Sequence, residues 1–337
     1  MPLENAQKLA PNSPETLLAL GYYQFRVLGD YELAKTTFER VNEMLPNSSE
    51  VPVALGRVTR REGHWDQSVA YFEQALALDP RNVKFLMDAA WTYAMLRQLP
   101  TALKLYDRAL DIVPNDPDLM ALKAGIYQAE GNLKEAVTLL SEINEKTPSN
   151  SFNEKVVQLR LERNYVESAR LLQARLAQFS YDSDVDRAYD QMALALSQRL
   201  AGDFTGAKLA AEQARNTLEQ LYKVEPDSAL GATVLSQAYA GLGKKELAVK
   251  LADRAITLAA KDAEYKSMYK EAFALVQMTF GDYSGAISTL AHLLQIHYNG
   301  WFLGPAPITP ALLRLDPLWD PLRGDPAFQK LCEEKQP

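Results

Sequence analysis

The feature of this sequence that most constrains its fold is a helix-pair pattern that repeats at a fixed period along most of the chain. It is clearest at residues 49–82, where small and apolar residues fall on two helical faces around a turn at Gly63, and Pro80 closes the second helix. The same spacing returns at residues 14–46, 83–116 and 117–150. Such a period predicts an elongated helical array, in which each pair buries its apolar face against its neighbours.

The small residues of the repeat have a physical role. Helices approach to about 8–10 Å only where the contacting side chains are small. Gly56 and Ala75 meet this need in residues 49–82, and Phe72 fills the space towards the next pair. The pattern resembles the tetratricopeptide repeat (TPR), whose characteristic residues are met at Leu55-Gly56, Gly63, Phe72, Ala75 and Pro80. This resemblance implies an all-α, TPR-type α-solenoid, a right-handed superhelix of antiparallel helix pairs with a C-terminal capping segment.

The repeat pattern divides the chain into five predicted segments. These are the tail of a truncated repeat at 1–13, four regular units at 14–148, an irregular helix pair and connector at 149–186, three further TPR-like units at 187–298, the first with a long second helix, and a Pro-rich connector with a capping helix at 299–337. Because residues 1–11 match only the end of a second helix, we hypothesise that Met1 is a boundary inside a longer polypeptide.

The composition limits the classes of partner. A net charge of −7 and a pI near 5.2 argue against nucleic acid, since phosphate neutralisation needs a basic face. The lone Cys332 excludes an internal disulfide framework. No run of apolar residues is long enough to suggest a membrane span within this chain. The cellular compartment is left open, because a span preceding Met1 would place the repeats outside the cytoplasm.

The sequence offers no constellation of catalytic or metal-binding residues. His64, His292 and His297 are scattered, and the last two lack the i, i+4 spacing that places two ligands on one helix face. The three Asp-Pro pairs of the C-terminal stretch match helix capping better than a calcium loop. No phosphate-binding or nucleophile motif occurs. We therefore predict no enzyme activity in these residues, no metal and no cofactor.

The C-terminal stretch is predicted to cover the exposed apolar edge of the last repeat. Asp325-Pro326 is expected to start a short helix through Phe328 and Leu331. This stretch, with the segment GYYQFRVLGDYELA near the start, resembles the C-terminal TPR regions of multidomain bacterial signalling proteins. The parent types of this resemblance are Ser/Thr kinases, adenylate cyclases and winged-helix regulators.

The TPR resemblance also implies where a partner binds. In that family the first helices of successive repeats line a concave groove, and the matching positions give the candidate partner-binding residues Tyr22, Arg57, Arg60, Arg61, Lys84, Met87, Trp91 and Met95. These residues suit an extended peptide that carries an acidic and an apolar side chain. The Lys/Asn pattern that binds chaperone C-terminal carboxylates is missing, because Val53 and Arg57 stand at two of its positions. The alternative is that these arginines form a solvent-exposed helix face and bind no partner.

Three functions remain open at this point. The first is an interaction scaffold or sensor module within a larger signalling protein, binding a protein or peptide partner in the groove. The second is a scaffold for self-assembly into a homo-oligomer. The third is the regulatory part of an enzyme whose catalytic domain lies upstream of Met1.

Overall fold

A computed structural model describes residues 2–300 and 307–333 of the chain. Over these residues the chain forms helices joined by turns and no β-strand, so the predicted all-α solenoid of helix pairs is confirmed. Met1 and parts of the predicted connector and capping segment, 301–306 and 334–337, lie outside the described residues. The chain divides into two compact units. Unit 1 contains the described residues up to Pro114 together with Lys261–Glu264, and unit 2 contains Asn115–Ala260 and the described residues from Tyr265 onward.

The helices follow one another in pairs. The first seven are α1 (Pro2–Leu9), α2 (Pro14–Tyr23), α3 (Tyr31–Met44), α4 (Glu50–Glu62), α5 (Trp65–Leu78), α6 (Val83–Met95) and α7 (Leu99–Ile112). The others are α8 (Pro117–Glu130), α9 (Leu133–Leu139), α10 (Ser149–Leu161), α11 (Tyr165–Gln178), α12 (Asp184–Leu200), α13 (Phe204–Val224), α14 (Ala229–Gly241), α15 (Lys245–Leu258), α16 (Ala263–Thr279), α17 (Tyr283–Leu294), α18 (Pro310–Leu315) and α19 (Pro326–Glu333).

The helix pairs of unit 1 approach closely where a glycine of the first helix faces an aromatic ring of the second. A Cβ atom added to Gly56 would lie 3.1 Å from the ring of Phe72, and one added to Gly21 would overlap the ring of Phe38. Both rings are fully buried. The small residues of the repeat therefore create the space that the aromatic side chains fill.

One irregularity of unit 1 follows from an additional residue in the first helix of 14–46. The chain absorbs this residue in a π-helical turn, Gln24–Leu28, directly after α2. The buried Gln24 side chain accepts a hydrogen bond from the Thr37 hydroxyl at 2.7 Å. The turn ends at Gly29 with a left-handed φ of 63°, and Asp30 then caps α3.

Unit 2 contains a shortened second helix, α9, whose chain continues as turns over residues 140–148. There the Asn144 side chain accepts from the Lys146 backbone N–H at 3.0 Å, and the Thr147 hydroxyl accepts from the Asn144 N–H at 3.1 Å. Such local bonds compete with helix formation. The sequence pattern had indicated irregularity from residue 149 on, but α10 and α11 have ordinary lengths of 13 and 14 residues. The shortening thus comes earlier than the repeat pattern suggested.

A fully buried arginine, Arg175 of α11, holds the turns that follow α9. Its Nη1 donates to the backbone carbonyls of Glu145 and Thr147 at 3.1 and 2.6 Å. Its Nε donates to a carboxylate oxygen of Asp190 on α12 at 2.7 Å. The corresponding position in α5 is Ala75, which is also fully buried. Arg175 therefore replaces a packing residue of the repeat with a hydrogen-bonding one.

The C-terminal segment of unit 2 consists of α18, a 3₁₀ helix at Pro317–Leu322 and α19. Asp325 caps α19, with its carboxylate accepting from the Ala327 N–H at 2.8 Å. Phe328 is buried in the same hydrophobic cluster as Leu290 of α17. The segment also contacts helices far earlier in unit 2, because the Thr309 hydroxyl donates to the Ala129 carbonyl at 2.7 Å. It thus packs on more than the last repeat.

Candidate functional site

An open groove of about 870 Å³ lies on unit 1 among α2, α4, α6 and the connection between α5 and α6. Three of the sequence-predicted residues, Tyr22, Arg57 and Lys84, line it. The other residues that line it are Arg26, Glu50, Asp79, Arg81, Asn82, Val83 and Phe85. The first helices of three successive pairs therefore contribute to one surface.

Arg57 forms the floor of this groove. Its Nε lies 3.2 Å from both carboxylate oxygens of Asp88, and its Nη1 donates to the Tyr22 hydroxyl at 3.4 Å. Burial opposes the charge on Arg57, but the hydrogen bonds to Asp88 and the negative charges of Asp88 and Glu50 together raise the pKa of the guanidinium. Burial also raises the pKa of Tyr22, with Glu50 and Asp88 adding to the effect. Arg57 is thus already neutralised by a carboxylate of α6.

Three cations around this pair are exposed: Arg26, Arg81 and Lys84. Arg26 lies over the Tyr22 ring, with 5.5 Å between its guanidinium carbon and the ring centroid. The acids of the groove lining are Glu50 and Asp79. With Arg57 balanced by Asp88, the groove keeps a small excess of positive charge on a chain whose net charge is −7.

Arg60 points away from this groove lining and is buried. Its Nε forms an ion pair with Glu264 at 3.2 Å, and its Nη1 donates to the Thr92 hydroxyl at 3.0 Å. Its guanidinium carbon lies 5.6 Å from the ring centroid of Phe72 and 5.9 Å from that of Trp91. These contacts make Arg60 part of the unit 1 packing.

Arg61 is partly buried and is held by Asp262, with 2.6 Å between its Nε and the carboxylate. The Tyr31 hydroxyl donates to the same carboxylate at 3.3 Å. Burial raises the pKa of Tyr31, and the negative charge of Asp262 raises it further. Arg61 is not among the residues that line the groove.

The three large side chains predicted on α6 are placed differently from one another. Met95 is fully buried, while Met87 and Trp91 are half-buried. None of them is among the residues that line the groove. The structure therefore brings together Tyr22, Arg57 and Lys84 from the predicted set, and it places Arg60, Arg61, Met87, Trp91 and Met95 elsewhere.

Sequence reasoning missed two cations of the groove, Arg26 and Arg81. Arg26 lies in the π-helical turn, where the additional residue shifts the repeat register. Arg81 lies in the connection before α6, whose Asn82 caps that helix by accepting from the Phe85 N–H. In the sequence, the segment Asp79-Pro80-Arg81-Asn82 matches the helix boundary that Pro80 predicts. The available signal was the cluster of charge at that boundary, next to Lys84.

Two other features are not found in the described residues. Across 2–300 and 307–333, no group of three or more His, Cys, Asp or Glu side chains is arranged to hold a metal ion. In the same residues no helix combines the length and the apolar character needed to cross a bilayer.

Comparison with known proteins identifies the repeat. Models described as tetratricopeptide repeat match residues 15–48, residues 53–117 and 211–263, and residues 97–152, which together exceed half of the chain. No curated protein sequence matches the chain significantly.

Several solved structures of low sequence identity are similar to this chain, and the first of them shares its fold. A tetratricopeptide repeat protein from Parabacteroides merdae is 18% identical with a TM-score of 0.51, covering 80% of this chain and 99% of its own. Pseudomonas aeruginosa PilF is 17% identical with a TM-score of 0.46, covering 65% and 94%. The Cut9–Hcn1 assembly of the APC/C is 12% identical with a TM-score of 0.49, covering 82% and 51%. With its repeat matched over more than half its length and its helix pairs arranged accordingly, the chain belongs to the tetratricopeptide repeat family.

Proposed function

We propose that this chain is a protein-interaction scaffold that binds an acidic segment of a partner protein in the groove of unit 1. TPR proteins generally mediate contacts between proteins, which supports the class of function. The observation that carries the proposal is the set of three exposed cations, Arg26, Arg81 and Lys84, around one open groove. An extended acidic peptide meets the charge of such a surface.

The groove also offers an apolar contact beside its cations. Tyr22 is half-buried and lines it, whereas Phe85, which also lines it, is buried. The pair Arg57–Asp88 holds the floor in place, so a bound peptide meets a surface whose central side chains are already ordered. We therefore expect a segment that combines Asp or Glu with an apolar or aromatic residue, as the sequence pattern indicated.

The experiment compares labelled extended peptides by fluorescence anisotropy with the full chain. The peptides are identical except that Asp and Glu are replaced by Asn and Gln in one and by Lys in another. We expect the acidic peptide to bind tightest and to weaken as salt rises, because exposed charges are screened over a Debye length of about 8–10 Å at physiological salt. Equal binding of the acidic and neutral peptides contradicts the proposal.

Matched variants locate the binding surface. The triple variant Arg26→Glu, Arg81→Glu, Lys84→Glu reverses the exposed groove cations and should abolish binding of the acidic peptide. The control is Lys8→Glu, Arg40→Glu, Lys104→Glu, which changes the same charge on exposed residues of α1, α3 and α7 outside the groove lining. Circular dichroism checks that both variants stay folded. A loss of binding in the control alone, or in neither variant, rejects the groove.

Two further functions stay as predictions from the sequence alone. Membership of a larger signalling protein, including a catalytic domain upstream of Met1, is tested by the sequence of the full-length gene. Self-assembly is tested by light scattering over a dilution series, where a homo-oligomer that persists at low concentration favours it.

A further inference from the structure

Unit 2 contains a cavity of about 330 Å³, and none of its lining residues belongs to the groove of unit 1. Its walls come from α12, α13, α14 and α16, and the 3₁₀ helix of the C-terminal segment contributes Pro317, Leu318 and Pro321. The cavity opens to solvent, because Arg199, Gly241 and Tyr283 of its lining are exposed.

One position of the repeat is small in this part of the chain. The residue that packs against the first helix is Phe38 in α3, Phe72 in α5 and Tyr106 in α7, and all three side chains are fully buried. Aligned on the turn, the same position is Ala211 in α13 and Ala252 in α15, and both are buried. Ala211 is among the residues that line the cavity.

Gly241, the exposed last residue of α14, also lines the cavity, and a Cβ atom added to it would already contact the Cβ of Ala211 at 3.5 Å. The two small residues therefore bring α13 and α14 close together. The remaining wall is largely apolar, with Met192, Leu275 and Leu318 among its residues. A cavity of this character takes up an apolar group and excludes a polar one.

One charged side chain stands among the described residues that line this cavity. It belongs to Arg199, near the C-terminal end of α12. Arg199 is exposed, so its guanidinium remains in water while its stem reaches the apolar wall. Two polar neighbours are already engaged, because Gln237 donates to the Ala272 carbonyl at 2.8 Å and Thr279 to the Leu275 carbonyl at 2.8 Å.

We propose that this cavity is a binding site for a small amphipathic molecule, an unbranched apolar chain that ends in a carboxylate. The apolar chain packs against the apolar wall that includes Met192, Leu275 and Leu318, and the carboxylate meets Arg199 at the rim. The volume lies at the lower end of the range of about 300–1,000 Å³ for small-molecule sites, which favours a medium-length chain over a long one.

The test uses decanoate as the probe, with decanol as its uncharged counterpart, in isothermal titration calorimetry with the full chain below the micelle concentration. We expect one decanoate to bind per chain. Decanol and the variant Arg199→Gln should each weaken binding by about fivefold, the value of an exposed ion pair. The control Lys208→Gln removes an exposed cation of α13 that does not line the cavity, and it should leave the affinity unchanged.

Two filling variants test the apolar part of the site. Leu275→Trp and Met278→Trp each replace a half-buried residue of the apolar wall with a larger side chain. Each should reduce decanoate binding by at least about tenfold, because the chain of the ligand loses its volume. Thermal melts verify folding, and either variant alone suffices if the other fails to fold. Absence of decanoate binding to the wild-type chain, or unchanged binding in a folded filling variant, overturns the proposal.

Discussion

Each of the two units contains a buried arginine at the same position of the repeat, and each arginine pairs with a distant carboxylate. Arg60 lies in the last turn of α4 in unit 1, and Arg160 lies in the last turn of α10 in unit 2. Both are buried, and both pair with a carboxylate far along the chain, Glu264 for Arg60 and Asp316 for Arg160. By the repeat pattern alone, either arginine looks like a residue that faces a ligand. In the structure each arginine instead forms an ion pair with a carboxylate of the same chain.

The difference between these arginines lies in how they are held. Arg160 meets Asp316 through two parallel bonds, Nε at 3.1 Å and Nη2 at 2.9 Å. Arg60 makes one bond to Glu264 and completes its contacts with Thr92 and aromatic rings. A bidentate pair fixes orientation as well as distance. The comparison shows that Arg160 fixes the C-terminal segment, whereas Arg60 is embedded in its neighbouring helices.

The largest expected effect comes from removing these buried arginines. Arg160→Ala leaves Asp316 buried without its partner, and we expect it to lower the free energy of unfolding by about 3–5 kcal/mol. Arg60→Ala should cost less, because Glu264 loses one bond rather than two. Urea denaturation measures both, with amide hydrogen exchange reporting which unit is affected.

The control for this prediction is the double variant Arg160→Ala, Asp316→Ala. It removes the orphaned charge and should recover much of the lost stability. An Arg160→Ala variant as stable as the wild-type chain, or a double variant less stable than the single one by the full cost of a second buried group, speaks against a buried ion pair.

A smaller change in stability is expected at a position where the two helices that carry these arginines differ. Burial raises the pKa of Glu154 on α10 to about 8, with Arg160 opposing the shift, while the corresponding residue of α4 is Ala54. Because the folded-state pKa exceeds the unfolded value, the stabilisation is complete below the unfolded pKa and is lost as the pH rises through the folded one. The free energy of unfolding of Glu154→Gln should therefore rise by on the order of 2 kcal/mol relative to that of the wild-type chain as the pH increases from about 6 to about 9.

Denaturation at several pH values measures the Glu154 effect. The control is Glu142→Gln, which neutralises an exposed glutamate in the turns after α9. It should follow the wild-type pH dependence. A constant difference between Glu154→Gln and the wild-type chain across this range would show that Glu154 does not titrate there.

The smallest effect concerns the second ion pair of the C-terminal segment. Arg163 meets Asp320 through two bonds at 2.6 and 2.9 Å, but both side chains are substantially exposed. Hydrogen bonds from Arg163 lower the pKa of Asp320, so its stabilisation is present above the unfolded pKa and is lost as the pH falls. We expect Asp320→Asn to cost less than about 1 kcal/mol at neutral pH.

Salt provides the measurement for this exposed pair. The cost of Asp320→Asn should shrink in 1 M NaCl, whereas that of Arg160→Ala should persist because buried charges are screened less. A cost for Asp320→Asn that equals the cost for Arg160→Ala would remove the distinction between the two pairs.

The structural features that could be predicted from the sequence are those that depend on residues close together in the chain. The helix pairs follow from small residues such as Gly56, from turn glycines such as Gly63 and from capping residues such as Asn82, all of which act within one repeat. The partners of Arg60 and Arg160 lie 204 and 156 residues away, and no local pattern indicates such a distance. The candidate groove was predicted only in part, since Arg26 lies where an additional residue shifts the repeat register and Arg81 lies in the connection between two helix pairs.

The hydrogen bonds of Arg175 change how unit 2 is expected to unfold. A repeat array is ordinarily close to a sum of single-repeat and nearest-neighbour energies, so that one repeat can be deleted or exchanged. Arg175 contacts Glu145 and Thr147 from the pair before it and Asp190 from the pair after it. One side chain thus ties three consecutive pairs into a single cooperative block, and none of them is an interchangeable module.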